Sequence, residues 1–157
     1  MKRNILIKEE KSGLAARFEL LDEAAPANSD FLWRLAAADT PVEGIHAMWT
    51  GPEISCPLAG DRVPSDIGEL PLENATMYPE AGDIAVVFAA PGRWKGMPGD
   101  AFYDIGLFYD KGGRLLMPFG WISASICARV VADDYEALKE ACRQIRRAGA
   151  CTVTITR

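Results

Sequence analysis

The stretch His46-Ala47-Met48-Trp49-Thr50-Gly51-Pro52-Glu53-Ile54-Ser55 carries the first legible piece of tertiary structure. Residues 44–50 alternate, with Ile45, Ala47 and Trp49 on one face and His46, Met48 and Thr50 on the other. Alternation with period two is the signature of a strand. Gly51-Pro52 turns the chain, and Glu53 to Pro57 reads as the partner strand.

The pattern continues in both directions. Asn4 to Glu9 and residues 14–21 read as two strands joined at Ser12-Gly13, a hairpin. A helix should follow, capped by Asn28 or Ser29, because a side-chain oxygen satisfies free N–H groups of the first turn. Phe31, Leu32 and Leu35 recur at helical spacing, and Thr40-Pro41 stops the helix. Residues 58–75 form a long loop rich in Pro and Gly, a kind of segment often functional in a compact domain. Gly82-Asp83 opens the apolar run 84–88, a buried strand. A Gly/Pro-rich loop over 91–100 carries Trp94, and strands are expected at 102–109, 115–119 and 122–131. The second helix is capped by Asp133 with Glu136 three residues on. It carries the stripe Tyr135, Leu138, Cys142 and Ile145 and ends at Gly149. Residues 151–156 form the last strand. The total is about eight strands and two helices in a single domain over residues 1–157. A sheet that long curls closed, which removes its exposed edges.

Composition excludes several functions. The formal charge is −5, whereas nucleic-acid binding requires clustered Lys and Arg to displace counterions. The one basic cluster, Lys139, Arg143, Arg146 and Arg147, falls near a helix C-terminus, where cations oppose the helix dipole. No apolar run approaches the ~20 residues of a membrane helix. The apolar stretch Ile5-Leu6-Ile7 is too short for a signal peptide, so a cytoplasmic protein is expected. Cys56, Cys127, Cys142 and Cys151 show no CxxC spacing and lie in apolar segments, as buried free thiols do. Neither a metal site nor a cofactor is expected: Gly92, Gly96 and Gly99 lack the spacing of a phosphate loop. The sequence leaves the oligomeric state open, a homo-oligomer included.

The order of elements resembles cyclophilin-like domains, and the fold implied is a mainly β, closed barrel. More closely, the chain resembles a bacterial family of uncharacterised cyclophilin-like proteins, domain of unknown function 3830. The carrying stretches are residues 46–55 quoted above, Glu73-Asn74-Ala75-Thr76, and Pro79-Glu80-Ala81-Gly82-Asp83-Ile84. Cyclophilins use an arginine within a Phe-His-Arg run on the third strand. The run here is Ile45-His46-Ala47, and Ala47 cannot supply the donor that a twisting prolyl amide needs. No prolyl isomerase activity is expected.

The expected function is therefore small-molecule binding, in a pocket between the barrel wall and the long loops. His46, the one histidine, is the candidate general base, with Glu53 across the strand pair as its partner. Trp49, Glu73, Asn74, Tyr103, Phe119 and Trp121 are the candidate ligand-binding residues, because aromatic walls with a few polar groups make such pockets. The alternative is a hydrolase or accessory subunit acting on cyclic or linear amides, with His46 as base. It draws on the likeness of the fold to subunits of allophanate and 5-oxoprolinase hydrolases. His46 and Trp49 point to opposite faces of a regular strand. If that regularity holds, His46 is expected to stay with Glu53 and Trp49 to leave the pocket.

Overall fold

In the computed structural model, which describes residues 2–58, 60–95 and 99–157, the chain begins with the expected hairpin. Strands β1 (Asn4–Glu9) and β2 (Leu14–Leu20) pair antiparallel around Gly13, whose positive φ of 73° suits the turn. Helix α1 (Pro26–Ala37) follows, then β3 (Val42–His46), β4 (Glu53–Pro57), the short β5 (Ala75–Thr76), β6 (Asp83–Ala89) and β7 (Phe102–Phe108). A two-stranded flap, β8 (Leu116–Met117) and β9 (Gly120–Trp121), precedes β10 (Ala124–Val130), helix α2 (Tyr135–Ala148) and β11 (Ala150–Thr156).

The strands join in the order β2-β1-β11-β3-β4-β7-β6-β10, and β10 pairs back onto β2, closing an antiparallel barrel. Strand β5 adds to β10 outside that ring. Each strand turns alternate residues inward: Ile5 and Ile7 from β1, Ala16 and Phe18 from β2, Ile54 and Cys56 from β4, Ile105 and Leu107 from β7. Phe31, Leu32 and Leu35 of α1 and Leu138, Cys142 and Ile145 of α2 join that core. Each such large apolar side chain contributes about 1.5–3 kcal/mol relative to exposure.

Strand β6 is buried on both faces, and this is what positions the site. Ile84 and Val86 face the barrel interior, whereas Ala85 and Val87 belong to a second apolar cluster with Phe108, Leu115, Ala124 and Ile126. That second cluster lies outside the barrel wall, under the flap. The continuous apolar run of 84–88 thus records a strand covered on two sides.

Four expectations are corrected. The first helix starts at Pro26, so Asn28 and Ser29 are buried inside its first turn and do not cap it. The methyl of Ala25 at the N-cap offers no acceptor, and the N–H groups of Ala27 and Asn28 donate instead to the Glu73 carboxylate, 46 residues from Ala27. The strand expected over 44–50 runs from Val42 and ends at His46. Tertiary pairing with β11 overrides the local alternation there, and residues 47–52 form an irregular crossing. The strand expected at 115–119 is the small β8–β9 hairpin, broken by Pro118 and by Gly120 at φ 124°. Asp133 does not cap α2: a 3-10 turn over Ala132–Asp134 leads in, and the Asp134 carboxylate is drawn to Arg17 at 2.9 Å. The helix does end at Gly149, at φ 84°. Gly96, Met97 and Pro98 of the Gly/Pro-rich loop lie outside the described residues. No described helix is long and apolar enough to cross a membrane.

Candidate functional site

Period-two geometry decides which side chains leave the barrel. Along β4 the inward residues are Ile54 and Cys56, so Glu53, Ser55 and Pro57 face out. Along β7, Phe102, Asp104, Gly106 and Phe108 face out. Register sets Ser55 opposite Gly106 and Pro57 opposite Asp104. Ile45 of β3, paired with Ser55, extends the same surface, as does Val87 of β6, paired with Asp104.

This outward surface is the floor of a cavity of about 420 Å³. Its walls are apolar: Met48 and Trp49 from the 47–52 crossing, Trp94 and Phe102, and Leu115, Met117, Phe119 and Ile122 from the flap. The Trp94 ring lies 5.7 Å from Phe102 and 5.2 Å from Phe119, so the aromatic groups form one continuous wall. Trp49 and Phe119 are about half exposed and frame the opening.

The floor is polar at one place. Glu53 is only 5% exposed, and the Thr50 hydroxyl donates a hydrogen bond to its Oε2. Its carboxyl lies against Gly106, in space a β-carbon would fill. Burial pushes Glu53 up to about 8, and the neighbouring Asp104 charge adds to the rise. Burial likewise lifts Asp104, to about 6, although the Ser55 hydroxyl at 2.9 Å favours its charged form. Both carboxyls line the same floor, and burial holds Glu53 higher than Asp104, so Asp104 is the first of the two to ionise as pH rises. Two carboxyls separated in this way divide the roles of proton donor and acceptor.

His46 lies on the other side of the wall. It pairs with Ile54, whose side chain is in the barrel core, and so faces away from Glu53. The Ala47 carbonyl can only accept, so Nδ1–H of His46 donates to it at 2.9 Å. The Tyr109 hydroxyl then donates to Nε2 at 2.8 Å. Burial lowers the imidazole pKa, the Ala47 carbonyl opposing and Arg146 assisting. The expected His46–Glu53 pair is absent, and the structure gathers Trp49 with Glu53 instead. The reason is that β3 stops at His46, so the crossing carries Trp49 over the β4 edge.

The remaining candidates separate cleanly. Phe119 lines the cavity. Tyr103 points into the barrel, between Phe31 and Phe88, with its hydroxyl donating to the Gly68 carbonyl at 2.9 Å. Trp121 packs on Tyr78 at 5.3 Å, on the outside of the flap. Glu73 accepts hydrogen bonds from the Ala27 and Asn28 backbone N–H groups, at 3.2 and 3.0 Å, at the start of α1. Asn74 Nδ2 donates to the Ile126 carbonyl at 3.0 Å and ties the long loop to β10. Sequence reasoning left out Asp104, Ser55 and Trp94 as ligand contacts. The signal for the first two was present: alternation from Glu53 places Ser55 on its face, and a carboxylate among strand aromatics marks Asp104. Among the described residues no group of three or more His, Cys, Asp or Glu side chains is arranged to hold a metal.

A closed antiparallel barrel with one helix after the first hairpin and another before the last strand is a cyclophilin-like domain. A solved Mimivirus cyclophilin is similar to it, with a TM-score of 0.54 and 14% identity, covering 99% of this chain and 86% of that one. A structure of McbB in complex with tryptophan is similar over 98% of this chain, with a TM-score of 0.69 and 18% identity. The chain spans 44% of the McbB chain, less than half. No curated protein sequence matches. The chain belongs to the family DUF3830, described as a protein of unknown function, whose model matches residues 7–157.

Proposed function

We propose that this protein binds a small, planar, aromatic molecule bearing a cationic nitrogen, in the cavity between Trp49, Trp94 and Phe119. The observation that carries this reading is that two carboxyls, Glu53 and Asp104, share the floor of a cavity walled by aromatic rings. Ionised Asp104 favours a cation or strong donor, neutral Glu53 offers a proton, and the rings favour a flat apolar body. No lysine or arginine lines the cavity among the described residues, so nothing there favours an anion. Ala47 is among the lining residues, and this reading includes no prolyl isomerase activity; a proline-peptide assay at the rate of an ordinary cyclophilin would overturn that part. A cytoplasmic, reducing setting also belongs to it, supported by four free cysteines, three of them buried.

A second reading, catalysis, is favoured by one observation. A neutral acid beside an ionised carboxylate is the arrangement of acid–base enzymes, so Glu53 could protonate a leaving nitrogen while Asp104 accepts a proton. Any amide chemistry in this protein would rest on that pair, since His46 faces elsewhere. Tryptophan, bound in the similar McbB structure, and tryptamine are natural first probes. Thermal stabilisation by these probes without hydrolysis of their N-acyl amides supports the binder, amide hydrolysis lost in Glu53→Gln supports the enzyme, and neither effect rejects both.

A further inference from the structure

We propose a second site: a cationic cleft on the far side of the 47–52 crossing that takes a phosphate dianion, free or as a monoester. It is independent of the cavity assignment above. The cleft encloses about 500 Å³ and is lined by His46, Tyr109, Lys111, Arg114, Arg143 and Arg146, with Asp110 among them. These groups come from three separate elements: the end of β3, the turn after β7, and the last turns of α2.

The charge balance is local and runs against the whole chain, which carries −5. Arg143 is engaged, by Asp110 at 3.4 Å and by Glu140 at 3.9 Å. Lys111, Arg114 and Arg146 have no ion-pair partner among the described residues. Stabilising the C-terminus of α2 explains a basic residue at position 146 or 147. It does not explain why the turn after β7 brings Lys111 and Arg114 to the same hollow. Three unpaired cations suit a dianion better than a single carboxylate, and arginine forks match phosphate oxygens two at a time.

The floor of the cleft supplies a proton-linked donor. With His46 neutral, the Tyr109 O–H is spent on Nε2. When His46 takes a proton from solvent at Nε2, that N–H donates to the Tyr109 oxygen, and the Tyr109 O–H is released to an anion in the cleft. Anion binding and His46 protonation therefore favour each other. The charged groups facing this pair are the four cations and Asp110; Glu53 and Asp104 lie beyond the wall.

His46 is the one histidine, so a single imidazole NMR titration reads the site without assignment. The protein is titrated with inorganic phosphate, with glycerol 2-phosphate and with sodium acetate, each against sodium chloride at equal ionic strength. Inorganic phosphate or its monoester should raise the His46 pKa and the melting temperature, with acetate matching chloride. Tighter binding of glycerol 2-phosphate identifies a phosphorylated small molecule, and equal binding identifies free phosphate. Arg146→Gln should weaken phosphate about tenfold, as loss of a hydrogen bond to a charged group does. Arg147→Gln, outside the cleft, should leave it unchanged. If phosphate moves the His46 pKa no more than chloride does, or if both arginine variants weaken it alike, the site does not exist as proposed.

Discussion

The Glu53 carboxyl occupies the volume above Gly106 on the neighbouring strand where any other residue would place its β-carbon. The two residues thus define each other: β4 can bury an outward carboxyl because β7 leaves only hydrogen at Gly106, diagonal to Glu53 across the pair. Gly106→Ala should displace Glu53 from the floor and cost about 1–3 kcal/mol, the usual penalty of overpacking. Chemical denaturation measures the loss, and a spectroscopic carboxyl titration should show Glu53 returning toward the ordinary glutamate range. An alanine variant of unchanged stability would contradict the packing described.

Stability should fall as the solution becomes alkaline. A carboxyl whose pKa rises on folding holds its proton more tightly in the folded state. Folding is therefore favoured at acid pH, and that advantage is lost as pH rises from the unfolded value of about 4.3 through the folded value. For Glu53 that window closes at about 8, and for Asp104 at about 6. Each group contributes a slope of roughly 1.4 kcal/mol per pH unit inside its window. Glu53→Gln should flatten the profile between pH 7 and 8, above the range where Asp104 and the lowered His46 contribute. Denaturation midpoints across that range decide it, and a wild-type profile already flat there would contradict a buried protonated Glu53.

Glu73 should matter for folding and not for the cavity. Desolvation alone would raise its pKa, but hydrogen bonds from Asn28 and Ala27 outweigh it and hold the carboxyl below its usual value. It acts as a remote cap on α1, so Glu73→Ala should cost about 1 kcal/mol. A lowered carboxyl pKa gives stability that is complete above the unfolded value and disappears as pH falls through the folded one. The deficit of Glu73→Ala should accordingly be full at neutral pH and absent in strong acid. Ligand affinity in the cavity should not change, as measured by calorimetry.

The barrel was legible because its evidence is local. The strands read over 4–9, 53–57 and 102–109 and the stripe on α2 each survive in the structure, since packing there agrees with the local pattern. The site was only half legible. Trp49, Glu53 and Phe119 could be named, but their company depends on where β3 stops, and that is set by pairing with the distant β11. His46 misled for the same reason: an only histidine invites a catalytic role, while its face is fixed by its register with Ile54. Glu73 capping α1 from the long loop is a contact between residues far apart in sequence, which no periodicity encodes.

The central claim is that the cavity recognises a flat cation through Asp104. Calorimetric titration with tryptamine, indole and indole-3-acetate, matched in ring and differing in charge, tests it most directly. Tryptamine should bind tightest, Asp104→Asn should weaken it about tenfold while sparing indole, and His46→Ala should leave all three unchanged. Equal or tighter binding of indole-3-acetate, or tryptamine affinity that survives Asp104→Asn and falls in His46→Ala, would contradict the account.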